Sequence, residues 1–298
     1  MTTAFVLSGG GSLGAVQVGM LRALADHQIA PDLLVGASAG ALNAAFVAGG
    51  GFSHATIDRL EEIWTGLRRQ DVFPFALHRH LLALAGARPS LCSPDGLRRL
   101  IAAHVGYRRL EDAVLPLHVV ATDVLSGNEV TLSEGDPVAA VLASAAIPGV
   151  FPTVAVDDRT LFDGGVADNT PISQAVELGA DRVVVLPAGV ACALAQPPRS
   201  ALSTAVHALT LLIEQRLVLD VAAYHDRVEL IVLPPLCPLS VSSTDFRSAG
   251  LLIERAATAT DRWLEAGNHR LPHPERFLSL HGHSPRLAHS SHPPVTAP

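Results

Sequence analysis

The sequence contains no lysine and only three cysteines among its 298 residues. All 21 basic residues are therefore arginine, and the 28 acidic residues bring the net charge to −7, which predicts no general attraction to nucleic acid. Cys92, Cys192 and Cys237 are odd in number and far apart, with no C-x-x-C pair. This arrangement argues against a disulfide framework and favours a reducing compartment.

The sequence also has little that would place it in or across a membrane. Two charge-free stretches, residues 33–57 and 137–156, are long enough to cross a bilayer, but both are rich in Gly, Ala, Ser and Pro, whose transfer into lipid gains little. The first basic residue is Arg22, so no positive region precedes an apolar segment, as a signal peptide requires. We therefore expect a cytoplasmic protein without a transmembrane helix, and peripheral contact with the inner membrane surface is left open.

The order of apolar runs and helix-like segments predicts an α/β fold. Residues 4–8 and 32–36 are short apolar runs typical of strands, and each leads through a turn of small residues into a segment with helical spacing. This repeat is typical of a mostly parallel central sheet covered by helices. Further strands are expected at 117–124, 129–132, 160–162, 182–186 and 228–233, and further helices at 53–67, 93–105, 137–147, 169–178, 204–221 and 245–266.

One domain is expected to take up most of the chain. A chain of this length can bury one large core, and we place that single domain at residues 1–267. Residues 268–298 are rich in Pro, His and Ser and have little to bury, so we expect a mostly disordered tail. The histidines of this tail lack the fixed spacing of metal ligands, and no metal site is predicted.

The segment Gly36-Ala37-Ser38-Ala39-Gly40 follows the second expected strand and precedes an expected helix. A serine at a sharp strand-to-helix turn presents its Oγ near the positive end of the helix. The residues two before and two after it must be small, because the backbones come close there. Gly36 and Gly40 meet this demand, so Ser38 is a candidate nucleophile. A serine in an ordinary region of small, closely packed residues would have the same neighbours.

A nucleophilic serine needs a general base. The histidines that follow Ser38 lie within expected helices or strands, or outside any recognisable loop, and their contexts favour packing or surface roles. Asp163 instead follows the strand-like residues 160–162 and precedes Gly164 and Gly165, which places a carboxylate at the end of a strand, where α/β proteins build their sites. Asp-Gly is also a common turn sequence, and this alternative stays open.

A third motif, Gly9-Gly10-Gly11-Ser12-Leu13-Gly14, follows the first expected strand. Its spacing fits the GxGxxG fingerprint of dinucleotide sites, which would make the protein an NAD-dependent oxidoreductase. That fingerprint also needs an acid at the end of the second strand to hold the ribose, whereas Asp32 lies at the beginning of that strand and Ser38 follows its end. Glycine loops can alternatively form an oxyanion hole, because their bare N–H groups approach a reacting carbonyl closely.

Together the three motifs resemble the patatin-like phospholipase family, whose members have a glycine loop, GxSxG and then Asp-Gly-Gly or Asp-Gly-Ala in this order. Residues 144–152 and 166–172 are also similar to that family. The resemblance covers about residues 4–190 and implies a three-layer α/β/α fold with a nucleophile elbow, of the bacterial serine acyl hydrolase type. It implies a Ser–Asp dyad with Ser38 as nucleophile and Asp163 as base, and an oxyanion held by the N–H groups of Gly10 and Gly11. The implied reaction is hydrolysis of lipid acyl esters through an acyl-enzyme, without a cofactor.

Leu13 departs from the family pattern, which usually has Arg or Lys at this position. The departure puts a preference for charged phospholipid head groups in doubt and leaves a non-catalytic, lipid-binding relative as an alternative. The expected partner in either case is a lipid or another acyl ester, and the oligomeric state is left open.

Two further expectations concern a lid and the pH dependence. The apolar segment 72–86 is a candidate lid or lipid contact, or else a buried helix. An aspartate base with an ordinary pKa near ~3.9 predicts activity that persists at mildly acidic pH, where a histidine base would be protonated.

Overall fold

The computed structural model describes residues 1–74, 87–189, 197, 201–272, 274 and 278. Within these residues one sheet contains eight strands: β1 (Thr3–Leu7), β2 (Leu33–Ala37), β3 (Leu117–Asp123), β4 (Glu129–Leu132), β5 (Val154–Val156), β6 (Arg159–Asp163), β7 (Arg182–Leu186) and β8 (Glu229–Val232). The α-helices are α1 (Ala15–Asp26), α2 (Ala39–Gly50), α3 (His54–Gly66), α4 (Arg69–Val72), α5 (Asp95–His104), α6 (Pro137–Ser144), α7 (Ile172–Glu177), α8 (Ala201–Tyr224) and α9 (Ala249–Glu265).

The sheet is mostly parallel, as predicted. Strands β3, β2, β1, β7 and β8 are neighbours in this order, and each adjacent pair is parallel. The strands expected at 117–124 and 129–132 form β3 and β4, which pair as an antiparallel hairpin, and β6 and β5 extend the sheet in the antiparallel sense. Strand β5 was not predicted, because three residues are too few to show an alternation of apolar and polar side chains.

The central strands are buried on both faces of the sheet. On β1, Phe5 and Leu7 belong to a core that includes α1, α2, α3 and α9, whereas Ala4 and Val6 belong to a second core with α7 and α8. A strand covered on both sides needs apolar residues at every position, which explains the continuous apolar runs in the sequence. The helices on the two faces complete the three-layer arrangement.

Several expectations fall at the edges of the described chain. The helix expected from residue 245 begins at Ala249, after a 3₁₀ turn over Phe246–Ser248. Most of the candidate lid, residues 75–86, lies outside the described residues, and so does most of the segment after residue 267. Leu278 is buried in the core beside α8, and the expected disorder of the tail stays a prediction. Among the described helices, none combines the length and the apolarity that a bilayer crossing requires.

Candidate active site

Ser38 lies at an abrupt turn between β2 and α2. Its backbone has φ 52° and ψ −121°, a conformation that residues with a side chain rarely adopt and that costs energy to hold. The flanking glycines make the turn possible. A methyl group on Gly36 would lie 2.7 Å from the Gly40 carbonyl oxygen, and one on Gly40 would lie 2.1 Å from that of Leu7. The strand–turn–helix context that the sequence predicted for Ser38 is therefore present.

Strand β3 brings Asp163 to Ser38. β2 runs along one edge of β3 with Ala37 opposite Val120, and β6 continues along that edge with Asp163 opposite Ala121. β4 pairs with the opposite edge of β3 over the same residues, so β2 and β6 must share the remaining edge. Their ends therefore meet there. Since the two strands run in opposite directions, their carboxyl ends face each other, and Ser38 follows one of them directly.

The two side chains are hydrogen bonded. Ser38 Oγ donates to Asp163 Oδ2 at 2.8 Å, and the Gly165 N–H donates to Asp163 Oδ1 at 2.8 Å. The Ser38 N–H donates to Ser144 Oγ on α6, which steadies the turn. Both Ser38 and Asp163 are buried. The hydroxyl proton thus points at a carboxylate whose second oxygen is held by the backbone.

Burial raises the pKa of Asp163 to about 6, because the ionised carboxylate loses its hydration. The hydrogen bonds from the Gly165 N–H and the Ser38 hydroxyl act in the opposite direction. The expectation of an ordinary carboxyl pKa was therefore wrong, since the pattern Asp-Gly-Gly does not reveal how deeply the carboxylate is buried. At neutral pH Asp163 is mostly ionised and can accept a proton.

The glycine loop lies directly against Ser38. A methyl group on Gly9 would lie 3.0 Å from Ser38 Cβ and 2.3 Å from Asn169 Oδ1, so only glycine fits there. Gly11 has φ 59°, the left-handed region that glycine adopts without strain. Within the described part of the chain, the N–H groups of Gly10 and Gly11 have no hydrogen-bond acceptor. These two backbone donors belong to the loop that contacts the nucleophile candidate.

Buried polar side chains fix this loop. Gln17 Nε2 donates to the carbonyl oxygens of Ser8 and Leu186 at 2.7 and 2.9 Å. Asn43 Nδ2 donates to the Gly14 carbonyl oxygen and to Gln17 Oε1, and Asn43 Oδ1 accepts from Trp64 Nε1 at 2.7 Å. Every member of this network has a partner, so it can hold the loop rigidly in a dry core.

Asn169 supports the loop from the side of Asp163. Its backbone carbonyl accepts from the Gly9 N–H at 3.1 Å, and its side-chain amide donates to the Gly9 carbonyl oxygen at 3.2 Å. Sequence reasoning assigned no role to Gln17, Asn43 or Asn169. The available signal was a lone amide side chain within an otherwise apolar helical segment, which Gln17 and Asn43 both satisfy.

A sequence model described as Patatin-like phospholipase matches residues 5–176, more than half of the chain. The chain belongs to the patatin-like phospholipase family. It is 30% identical over 189 residues to patatin-like phospholipase domain-containing protein 7 of Mus musculus, a match that covers 62% of this chain and 13% of that protein. It is also 30% identical over 183 residues to an uncharacterized NTE family protein of Mycobacterium tuberculosis, covering 61% of this chain and 48% of that protein. The matches thus span about half or less of these relatives.

Solved structures of similar fold include VipD from Legionella pneumophila, with a TM-score of 0.45 and 15% identity over 89% of this chain and 67% of that one. Human GIVD cytosolic phospholipase A2 has a TM-score of 0.45 and 12% identity over 93% of this chain and 60% of that one.

The structure also bears on the two alternatives to a patatin-like hydrolase. Asp32 lies before β2, where its Oδ2 accepts from the Thr3 N–H at 2.7 Å, so Asp32 is not the acid at the end of β2 that a dinucleotide ribose requires. Leu13, which replaces the family's basic residue, is 1% exposed and packs in the core beside α1 and α2. Among the described residues, no histidine is hydrogen bonded to Ser38 or Asp163.

Proposed function

We propose that this protein hydrolyses lipid acyl esters through an acyl-enzyme, with Ser38 as nucleophile and Asp163 as general base. The observation that carries the proposal is the 2.8 Å hydrogen bond from Ser38 Oγ to Asp163 Oδ2 at a strained strand-to-helix turn. A hydroxyl attacks a carbonyl only if its proton has an acceptor, and Asp163 supplies one. The family match supports a lipid as the source of the ester.

In the first half of the reaction, Ser38 Oγ bonds to the carbonyl carbon while its proton passes to Asp163. The carbonyl oxygen becomes negative, and the N–H groups of Gly10 and Gly11 donate to it in a site with little water. The tetrahedral intermediate then collapses. The bond to the leaving alkoxide breaks, Asp163 returns the proton to that oxygen, and the acyl group stays on Ser38.

In the second half, a water molecule attacks the Ser38 ester. Asp163 takes a proton from the water, the same two backbone donors hold the second oxyanion, and Ser38 leaves with the proton that Asp163 returns. The fatty acid is released and the dyad is restored. Because one carboxylate serves as base and as acid in both halves, its pKa must lie near the working pH, and a value of about 6 fits that need.

The test is the intact mass of the protein after reaction with a fluorophosphonate. We expect one adduct on the wild type, no adduct on Ser38→Ala, and labelling of Asp163→Asn slowed at least ~100-fold, the usual contribution of a positioned base. Ser126→Ala, which changes an exposed hydroxyl in the β3–β4 turn, is the matched control and should label like the wild type.

Absence of any adduct on the wild type would contradict the proposal and favour a non-catalytic, lipid-binding role. Titration with NADH then distinguishes the remaining alternative. A change in NADH fluorescence that Gly11→Val abolishes would support a dinucleotide site in the glycine loop.

A further inference from the structure

Asp168 is a buried carboxylate that takes no part in the chemistry proposed for Ser38 and Asp163. It is 2% exposed, and within the described part of the chain it forms hydrogen bonds with neither of them. It lies in the turn of residues 167–171, which leads from the end of β6 to α7. Burying a carboxylate costs free energy unless its oxygens are hydrogen bonded, so the partners of Asp168 indicate its role.

The surroundings of Asp168 disfavour its charged form. Burial raises its pKa to about 7, and the charges of Glu129 on β4 and Asp220 on α8 act in the same direction. Arg216 on α8 acts in the opposite direction, but its guanidinium also donates to Asp220 Oδ2 at 3.1 Å. We therefore expect Asp168 to serve the fold as a hydrogen-bond acceptor more than as a charge.

The side chain of Asp168 joins the turn to α7. Its Oδ1 accepts from the Thr170 N–H at 3.1 Å, and its Oδ2 accepts from Ser173 Oγ, in the first turn of α7, at 3.1 Å. Thr170 is buried, so its N–H would lose its acceptor in a dry site if the carboxylate were removed. These two bonds hold the second half of the turn.

The first half of the turn is held by β3 and by the end of β6. The Ala167 N–H donates to Thr122 Oγ1 at 3.1 Å, and that hydroxyl donates to the Asp163 carbonyl oxygen at 2.9 Å. The Asp168 N–H donates to the Gly164 carbonyl oxygen at 2.8 Å. The turn is thus fixed at one end to the strand that carries the base and at the other, through the Asp168 side chain, to a helix.

Asn169 lies between these two points of attachment and contacts both parts of the candidate active site. Its carbonyl oxygen and its side-chain amide form the two hydrogen bonds with Gly9 described above. A methyl group on Gly165 would lie 2.7 Å from Asn169 Oδ1, and the Gly165 N–H is the donor that holds Asp163 Oδ1. A shift of Asn169 would therefore disturb the glycine loop and the residue that orients the base.

We propose that Asp168 is a positioning residue, whose hydrogen bonds to Thr170 and Ser173 keep Asn169 in place and thereby hold the glycine loop against Ser38. It acts through Asn169 and touches no reacting atom. The inference rests on the proposed function for its meaning in catalysis. Because a misplacement of about 1 Å can cost ~100-fold in rate, a residue outside the reacting groups can still control the reaction.

The test is the rate of fluorophosphonate labelling as a function of reagent concentration. Asp168→Ala should lower the maximal rate at least ~10-fold, because displaced oxyanion donors no longer stabilise the transition state. The half-saturating concentration should not change, since those donors act on the transition state and not on the bound reagent.

The conservative variant Asp168→Asn should restore labelling to within about threefold of the wild type, because its amide oxygen can accept from the Thr170 N–H and its NH₂ group can donate to Ser173 Oγ. Asp123→Ala is the matched control. Asp123 Oδ1 accepts from the Leu125 N–H at 3.0 Å in the β3–β4 turn, so the variant removes the same kind of acceptor from another turn, and it should label like the wild type. Wild-type labelling of Asp168→Ala, or equal slowing in Asp168→Asn, would overturn the proposal.

A second measurement does not depend on catalysis. The Gly9 N–H donates to the Asn169 carbonyl oxygen, so its hydrogen exchange, followed by NMR, should become at least ~10-fold faster in Asp168→Ala and stay unchanged in Asp168→Asn. Unchanged exchange in Asp168→Ala would overturn the inference.

Ser173→Ala removes only the bond to α7, and it replaces Asp168→Ala if that variant does not fold. It should accelerate Gly9 exchange and slow labelling in the same sense, and wild-type values for both would overturn the proposal. If the wild-type protein is not labelled at all, the proposed function fails, while Gly9 exchange still decides whether Asp168 holds the loop.

Discussion

Ser38 and Asp163 are 125 residues apart in the chain, yet they pair because Ala37 and Asp163 lie opposite successive residues of β3. The sheet therefore fixes the geometry of the dyad, because β3 pairs with both β2 and β6 and holds their carboxyl ends next to each other. A change in the register of β6 by one residue would turn the carboxylate to the opposite face. The dyad should therefore be rigid, and its properties should follow from its burial.

The rate of acylation should depend on pH through Asp163. Because burial raises its pKa to about 6, the base is protonated below that pH and the rate should fall about tenfold per unit there, with a plateau above pH 7. The measurement is the labelling rate with a fluorophosphonate between pH 4.5 and 8.5. A rate that stays constant down to pH 4.5 would contradict the raised pKa. Since a histidine would titrate in the same range, His118→Asn is the control, and it should leave the profile unchanged.

Asp163→Asn should stabilise the protein while it removes the base. A folded-state pKa of about 6 lies above the ordinary value of 3.8, so the folded protein binds the proton more tightly than the unfolded chain does. The wild type therefore loses stability as the pH rises from about 4 to about 6, by roughly 3 kcal/mol in total, and asparagine avoids this loss. Urea unfolding at pH 8 should give the variant a higher free energy of unfolding.

The same comparison at pH 4 should show little difference between the two proteins. Burial, together with the charges of Glu129 and Asp220, raises the pKa of Asp168 to about 7. Asp168 titrates in both proteins, so its effect on the difference between their free energies of unfolding cancels. A gain from Asp163→Asn that does not change with pH would mean that burial of charge is not its cause.

Gly9→Ala should inactivate the protein without unfolding it. The new methyl group would meet Asn169 Oδ1 at 2.3 Å and Ser38 Cβ at 3.0 Å, so the loop and its N–H donors must move away from Ser38. We expect acylation to slow at least ~100-fold, as when an oxyanion donor is lost. Gly106→Ala is the control, since nothing lies within 4 Å of its added methyl group. Equal rates in the two variants would argue against a role for the loop.

Asn43→Ala should destabilise the fold strongly. It leaves Gln17 Oε1 and Trp64 Nε1 without this partner in a buried site, while the Gly14 carbonyl oxygen, at the N-cap of α1, keeps its hydrogen bond within the helix. Unpaired buried groups of this kind cost about 1–3 kcal/mol each, so a loss of at least ~2 kcal/mol is expected from urea unfolding. Asn128→Ala, at an exposed turn position, should change the free energy of unfolding by less than ~0.5 kcal/mol. A similar small change for Asn43→Ala would refute the anchoring role of the network.

Short sequence patterns determined the turn at Ser38 and the positions of the central strands. Five consecutive residues, Gly36 to Gly40, indicate the strand-to-helix turn at Ser38, because a tight turn excludes side chains at fixed positions along the chain. Apolar runs located the central strands for a similar local reason, since a strand covered on both faces has no polar position. The order of the three motifs then identified the family.

Only the tertiary structure decided the electrostatics and the long-range pairings. The raised pKa of Asp163 depends on how many apolar atoms surround it, which no neighbouring residue in the chain reveals. The contact of Asn169 with Gly9 joins segments that are 160 residues apart in the chain, and the hydrogen bond of Ser38 with Asp163 joins segments 125 residues apart. Such contacts follow from the packing of helices on a sheet, a cooperative result of the whole core, whereas turns and strands are set by a few adjacent residues.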